Sequence, residues 1–260
     1  MRTLLVIITG FLLYIALPNA PSESHKSSNE LSQSGIYSYL RDTTVLVRVM
    51  DANNIHMRTS GTGSLIKRGE DTYLITAAHV VASAKPDDNA RWQVYVCRPK
   101  TKDYEYVGED WVYASVENYS PADTGHDIAW CKVMEKNYGT RSTVFYTDKA
   151  PPPLYSVVWH CGNYFGCYFD VIRSGVIDAI GIRAPNVPHV SFDNASVTSF
   201  PGSSGGPIVL EDGRYIGMLA RGRGETLSNY IPIRRIRQWA RDEGLESLIF
   251  TGAREMPKAK

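Results

Sequence analysis

Phe200–Ile208 reads FPGSSGGPI: two serines held between glycines, running directly into an apolar segment. Glycines without a Cβ allow a tight turn whose N–H groups converge on one point. The hydroxyl of Ser204 is then exposed beside a pair of donors, a geometry suited to attack on a carbonyl and capture of the resulting oxyanion. The spacing is G-x-S-G-G. That spacing also satisfies the G-x-S-x-G of the strand-to-helix elbow in parallel-sheet hydrolases, but no parallel sheet is predicted around this turn.

The surrounding chain reads as short strands. Thr43–Met50, Gly61–Ile66, Thr72–Thr76, Arg91–Cys97, Ile128–Val133 and Leu154–Cys161 are rich in Val, Ile, Tyr and Trp and are punctuated by turn residues. Ala150–Pro153 (APPP) interrupts any element and divides the chain into two all-β halves. Helical periodicity emerges at 233–249, where Ile233, Ile236, Trp239 and Ala240 share one face and the arginines are expected on the other. The expectation is an all-β fold of two antiparallel six-stranded barrels, about 39–148 and 154–232, closed by a C-terminal α-helix, with 251–260 fraying as a tail.

Composition excludes several classes. Of 260 residues, 43% are hydrophobic and 21% charged, as in an ordinary globular chain. With 28 basic and 27 acidic residues the net charge is +1, which offers nucleic acid no electrostatic footprint. Residues 4–17 form an apolar run behind Arg2, shorter than the roughly 20 residues of a membrane span. Residues 1–22 therefore read as a secretory signal or an N-terminal anchor, and 23–38 as a polar linker. Either reading puts the body of the chain outside the cytoplasm, secreted or periplasmic, with membrane contact only through that segment. Cys161 and Cys167 could close a loop, and Cys97 and Cys131 could face each other across strands; the alternative is four buried thiols. A metal site from His160, Cys161, Cys167 and His189 fits no zinc spacing.

A serine needs a base, and the base needs an orienting acid. Of six histidines, His79 stands out in YLITAAHVV, ending a strand with two alanines leaving room for the ring. Asp127 in GHDIAWCKV opens an apolar strand, which draws its carboxylate inward toward hydrogen-bond donors.

TAAH, then D-I-A, then G-x-S-G-G-P, in that order, resemble the chymotrypsin/trypsin-fold serine endopeptidases. His79 and Asp127 are 48 residues apart and Asp127 and Ser204 77 apart, so that each barrel supplies a share. The likeness runs over roughly residues 40–245 and is closest to the HtrA/Deg-type branch. CGNYFG at 161–166, SGVI at 174–177, GRYIG at 213–217 and YIPI at 230–233 are similar to that branch's stretches, with Tyr164 replacing a proline.

The resemblance implies Ser204 as nucleophile, His79 as general base and then acid, and Asp127 as the holder of its tautomer. It implies an oxyanion hole from the N–H groups of Gly202 and Ser204, and no metal or organic cofactor. It also implies a polypeptide substrate added as a strand along Leu219, Ala220 and Arg221. Thr198, six before the nucleophile, would be the floor of the specificity pocket. An uncharged floor beside Leu219 implies cleavage after small-to-medium uncharged residues. Three departures matter. Ser203 replaces the aspartate that pairs with a new N-terminus on activation, no trimerising segment is recognisable, and no PDZ domain is expected after the terminal helix. The alternatives are a viral or phage polyprotein-processing protease and a catalytically silent binding module on the same fold.

Overall fold

A computed structural model describes residues 31–51, 56–84, 92–102, 105–184, 187–222 and 227–251. The signal or anchor expected at 1–22 and the tail at 252–260 lie outside the described residues. Six antiparallel strands form the first barrel: β1 (Thr44–Asp51), β2 (Met57–Arg68), β3 (Asp71–Thr76), β4 (Trp92–Lys102), β5 (Glu105–Ser120) and β6 (Ile128–Val133). They close in the order β1-β2-β3-β6-β5-β4. The second barrel is β7 (Val157–Tyr164), β8 (Tyr168–Ala184), β9 (Val187–Ala195), β10 (Pro207–Leu210), β11 (Tyr215–Gly222) and β12 (Ser228–Pro232), in the order β10-β11-β12-β9-β8-β7. Closure removes the free sheet edges that short strands would otherwise expose.

Alternation fills each interior. Val45, Val47 and Val49 of β1 point into the first barrel with Leu65, Leu74, Val94, Val96 and Cys131. The same alternation turns Cys97, next to Val96, to the outer face, so it cannot meet Cys131. Cys161 is buried in the second core while Cys167 is exposed. All four cysteines are free thiols, and neither bridge forms. Burial pushes the Cys131 thiol up to about 12 and that of Cys161 well above its ordinary value.

Two stretches differ from the sequence reading. Residues 33–38, expected to be linker, begin helix α1 (Gln33–Thr43). The Ser32 hydroxyl accepts from the Gly35 N–H (3.2 Å) at its N-terminus, and Ile36, Tyr39 and Leu40 bury one stripe in the second core. The Tyr39 hydroxyl accepts from the Val144 N–H (2.8 Å), tying α1 to the segment between the barrels. The predicted helix at 233–249 is two: α3 (Ile233–Asp242) and α4 (Glu246–Phe250). Gly244, at φ +69°, stops α3: its N–H donates to Arg241 O, and Leu245 N–H to Ala240 O. This pair of backward bonds satisfies the last carbonyls of a helix in a Schellman turn. The apolar face of α3 is buried as expected, but Arg235 is not on the solvent side; it is 7% exposed.

Candidate active site

The strand-to-turn transitions at one end of each barrel meet. Helix α2 (Ala78–Val81) follows β3 and carries His79; Asp127 immediately precedes β6. His79 Nδ1 lies 3.0 Å from both carboxylate oxygens of Asp127, and Asp127 Oδ1 also accepts the His79 backbone N–H at 3.0 Å. Asp127 is 2% exposed, so nearly every interaction open to its carboxylate is with protein. It sits at φ +60°, a left-handed conformation costly for a side chain with a Cβ and common at functional sites. With Nδ1 turned to the carboxylate, the other ring nitrogen has no protein partner among the described residues.

Ser204 lies in the turn before β10, beside Gly61; a Cβ on Gly61 would come within 2.5 Å of Val80 Cγ1 and 3.0 Å of the Ser204 carbonyl oxygen. The histidine turn and the serine turn are thus packed against one glycine. Ser204 Oγ donates to Ala220 O at 3.3 Å, so its hydroxyl points along β11. Two glycines of the turn are required by shape. Gly202 has φ +96° and a Cβ there would lie 2.3 Å from Asn163 O; Gly205 has φ +84° and a Cβ 2.2 Å from Thr62 O. The backbone N–H groups of Gly202 and Ser204 donate to no protein acceptor among the described residues. Pro201 O accepts from Phe165 N–H at 2.5 Å, and because the peptide is trans the Gly202 N–H faces the opposite way. Ser203, where an aspartate was noted as missing, closes its own turn, donating to Phe200 O at 2.6 Å.

Ser199, Phe200, Pro201, Ser203, Ser204, Leu219 and Gly222 line a cleft of about 380 Å³ beside the serine. Leu219 is where the sequence reading put it. Thr198 is not among the lining residues; its carbonyl accepts from the Tyr164 hydroxyl at 2.6 Å. Its neighbour Ser199 lines the cleft, and the Ser199 hydroxyl is 2.7 Å from that of Ser228. Strand β11 outruns β10: their pairing ends at Pro207 and Met218, leaving Arg221 and Gly222 paired only toward β12, with Ala220 at a bulge in that register. Arg221 is exposed and Ala220 buried.

The sequence reading missed Thr62. Its N–H donates to Ser204 O (2.8 Å), and its hydroxyl donates to Gly202 O (2.7 Å) while accepting from Asn163 N–H (2.9 Å). The only local signal was a small hydroxyl residue between Gly61 and Gly63.

Residues 61–218 match the model of the family described as trypsin-like peptidase domain. The chain belongs to that family. It is 31% identical over 163 residues to a probable periplasmic serine endoprotease, DegP-like, of Halomonas elongata; the match covers 62% of this chain but 29% of that relative. The crystal structure of Deg5 superimposes with a TM-score of 0.59 at 17% identity, covering 79% of this chain and 90% of Deg5. The trypsin-like domain is thus the family shown, and Deg5 shares its fold. Among the described residues no group of three or more potential metal ligands comes together, and no helix is long and apolar enough to cross a membrane.

Proposed function

We propose that this trypsin-like domain is a serine endopeptidase that works through an acyl-enzyme on Ser204. The observation that carries the reading is the His79–Asp127 pair, 3.0 Å apart, beside a serine turn that packs with it against Gly61 and has two uncommitted N–H groups. In this mechanism the Ser204 hydroxyl leaves its 3.3 Å bond to Ala220 O, a length weak enough to exchange, and turns to the free nitrogen of His79. His79 takes the proton as Ser204 attacks the carbonyl, then returns it to the departing amine. Asp127 holds the ring in the tautomer that leaves the cleft-side nitrogen basic, and offsets the charge of the imidazolium. Gly202 and Ser204 N–H donate to the oxyanion, where charge develops in the transition state.

The substrate lies as an added strand on the free edge of Ala220–Gly222, so backbone contacts give affinity and the cleft gives choice. Small-to-medium uncharged side chains suit that cleft: Leu219 forms one wall and no formal charge lies among its lining residues. The segment 1–22 acts as a secretion signal or anchor, placing the domain outside the cytoplasm, in keeping with the word periplasmic in the relative's name.

The test is cleavage of casein by purified chain and by Ser204→Ala. The variant should lose at least about three orders of magnitude in kcat. Equal cleavage by both overturns the reading.

A further inference from the structure

We propose that Arg235, on the C-terminal helix α3, is a positioning residue for Asp127; this rests on the reading that Asp127 orients His79. Burying a guanidinium is costly unless its donors are met. Arg235 is 7% exposed, whereas the side chains of Arg234 and Arg241 on the same helix are 38% and 48% exposed. Its Nη2 donates to His126 O at 2.7 Å and its Nη1 to Ser191 O at 3.3 Å, with the guanidinium carbon 4.7 Å from the centre of the Phe192 ring. Burial pulls its pKa down to about 10, which still leaves it charged at neutral pH.

The carbonyl it holds belongs to the peptide joining His126 to Asp127. The other end of that peptide, the Asp127 N–H, donates to Pro121 O at 3.2 Å, and the Asp127 carbonyl accepts from Ala78 N–H at 3.1 Å. Asp127 is therefore pinned at φ +60° from three sides. Pro121 and Ala78 belong to the first barrel; Arg235 reaches the same peptide from α3, after the last strand of the second. A left-handed aspartate relaxes unless its surroundings over-determine it. Without the arginine contact, the peptide can rotate and carry the carboxylate away from both His79 contacts. The C-terminal helix thereby sets the aim of a group in the opposite barrel.

The test is a double-mutant cycle on the full chain with an activated ester substrate, reading kcat, KM and the thermal midpoint. Arg235→Met should lower kcat about 10- to 100-fold, the scale of a misplaced group near the chemistry, with KM within about twofold. Arg235→Lys should recover most of the loss. Because the arginine acts through Asp127, Arg235→Met added to Asp127→Asn should cost less than about twofold further. An equal loss in both backgrounds, or no loss in the parent, overturns the proposal. Should Arg235→Met fail to fold, Arg235→Gln in the two backgrounds decides: a kcat loss confined to the Asp127 parent supports it, and any other result overturns it. If Asp127→Asn alone leaves kcat within about tenfold of the parent, the orienting role of Asp127 falls, and this proposal with it.

Discussion

At the scale of single residues, Thr62 engages every polar atom it has. Its carbonyl accepts from Thr76 Oγ1 (2.7 Å), while its N–H and hydroxyl hold the carbonyls of Ser204 and Gly202. Thr62→Val keeps the shape and removes the hydroxyl, leaving Gly202 O and Asn163 N–H buried without it. That should cost about 1–3 kcal/mol of stability and lower kcat, with Thr62→Ser close to the parent; denaturant midpoints and ester kinetics check both. The serine turn was legible in the sequence because its glycines declare a local backbone need. Thr62 was not, because the carbonyl its hydroxyl holds is 140 residues away. Counting back from Ser204 gives Thr198, whose carbonyl accepts from the Tyr164 hydroxyl, while its neighbour Ser199 lines the cleft and meets Ser228.

A buried histidine and a half-buried aspartate oppose each other in their pH dependence. His160, fully buried with Nδ1 on Pro207 O (3.0 Å), is pushed down to about 4 by desolvation. Between pH 4 and 6.5 the unfolded chain binds that proton and the fold does not, so this group makes stability rise with pH. Asp170 is pushed up to about 6 by burial, with Arg41 and Arg98 pulling weakly the other way. Between about pH 4 and 6 the fold holds its proton and the unfolded chain does not, so this group makes stability fall with pH. The two slopes offset each other in the parent. Asp170→Asn should leave stability nearly unchanged at pH 4 and raise it by on the order of 2 kcal/mol at pH 8. Urea midpoints across that range check this, and equal midpoints at pH 8 would count against a desolvated charged Asp170.

At the scale of elements, the strands were legible because period-two alternation survives in short runs; β6 was read at its observed bounds. The helices were less so. In α1 the stripe of Ile36, Tyr39 and Leu40 was hidden among serines and other polar residues that form its outer face. In α3 and α4 the apolar pattern continues across Gly244 through Leu245, Leu248 and Ile249, so one helix was expected where there are two. Gly244 instead turns the chain so that Phe250 meets the Phe145 ring at 4.8 Å and Arg68 donates to the carbonyls of Leu248 and Ile249. Nothing lies within 4 Å of a Cβ built on Gly244, so Gly244→Ala tests backbone conformation alone. It should destabilise by about 1 kcal/mol, seen as a lower thermal midpoint with unchanged ester kinetics.

At the scale of the whole molecule, the site is a seam. The first barrel contributes His79, Asp127 and Thr62, and the second contributes Ser204, the cleft and the free edge of β11. Order along the chain made the pairing of motifs readable, but the contacts across the seam were not, since no local pattern encodes a partner in the other barrel. Specificity belongs to this scale as well: cleavage products of a peptide library should show small-to-medium uncharged residues before the scissile bond, and dominance of Lys, Arg or Glu there would contradict the cleft as described. The central claim is that Ser204 is a nucleophile activated by His79. Its most direct test is reaction of the folded chain with a fluorophosphonate, followed by peptide mapping in a mass spectrometer. The account predicts one adduct, on Ser204, whose formation slows by orders of magnitude in His79→Ala; a folded, peptide-cleaving chain without that adduct would contradict it.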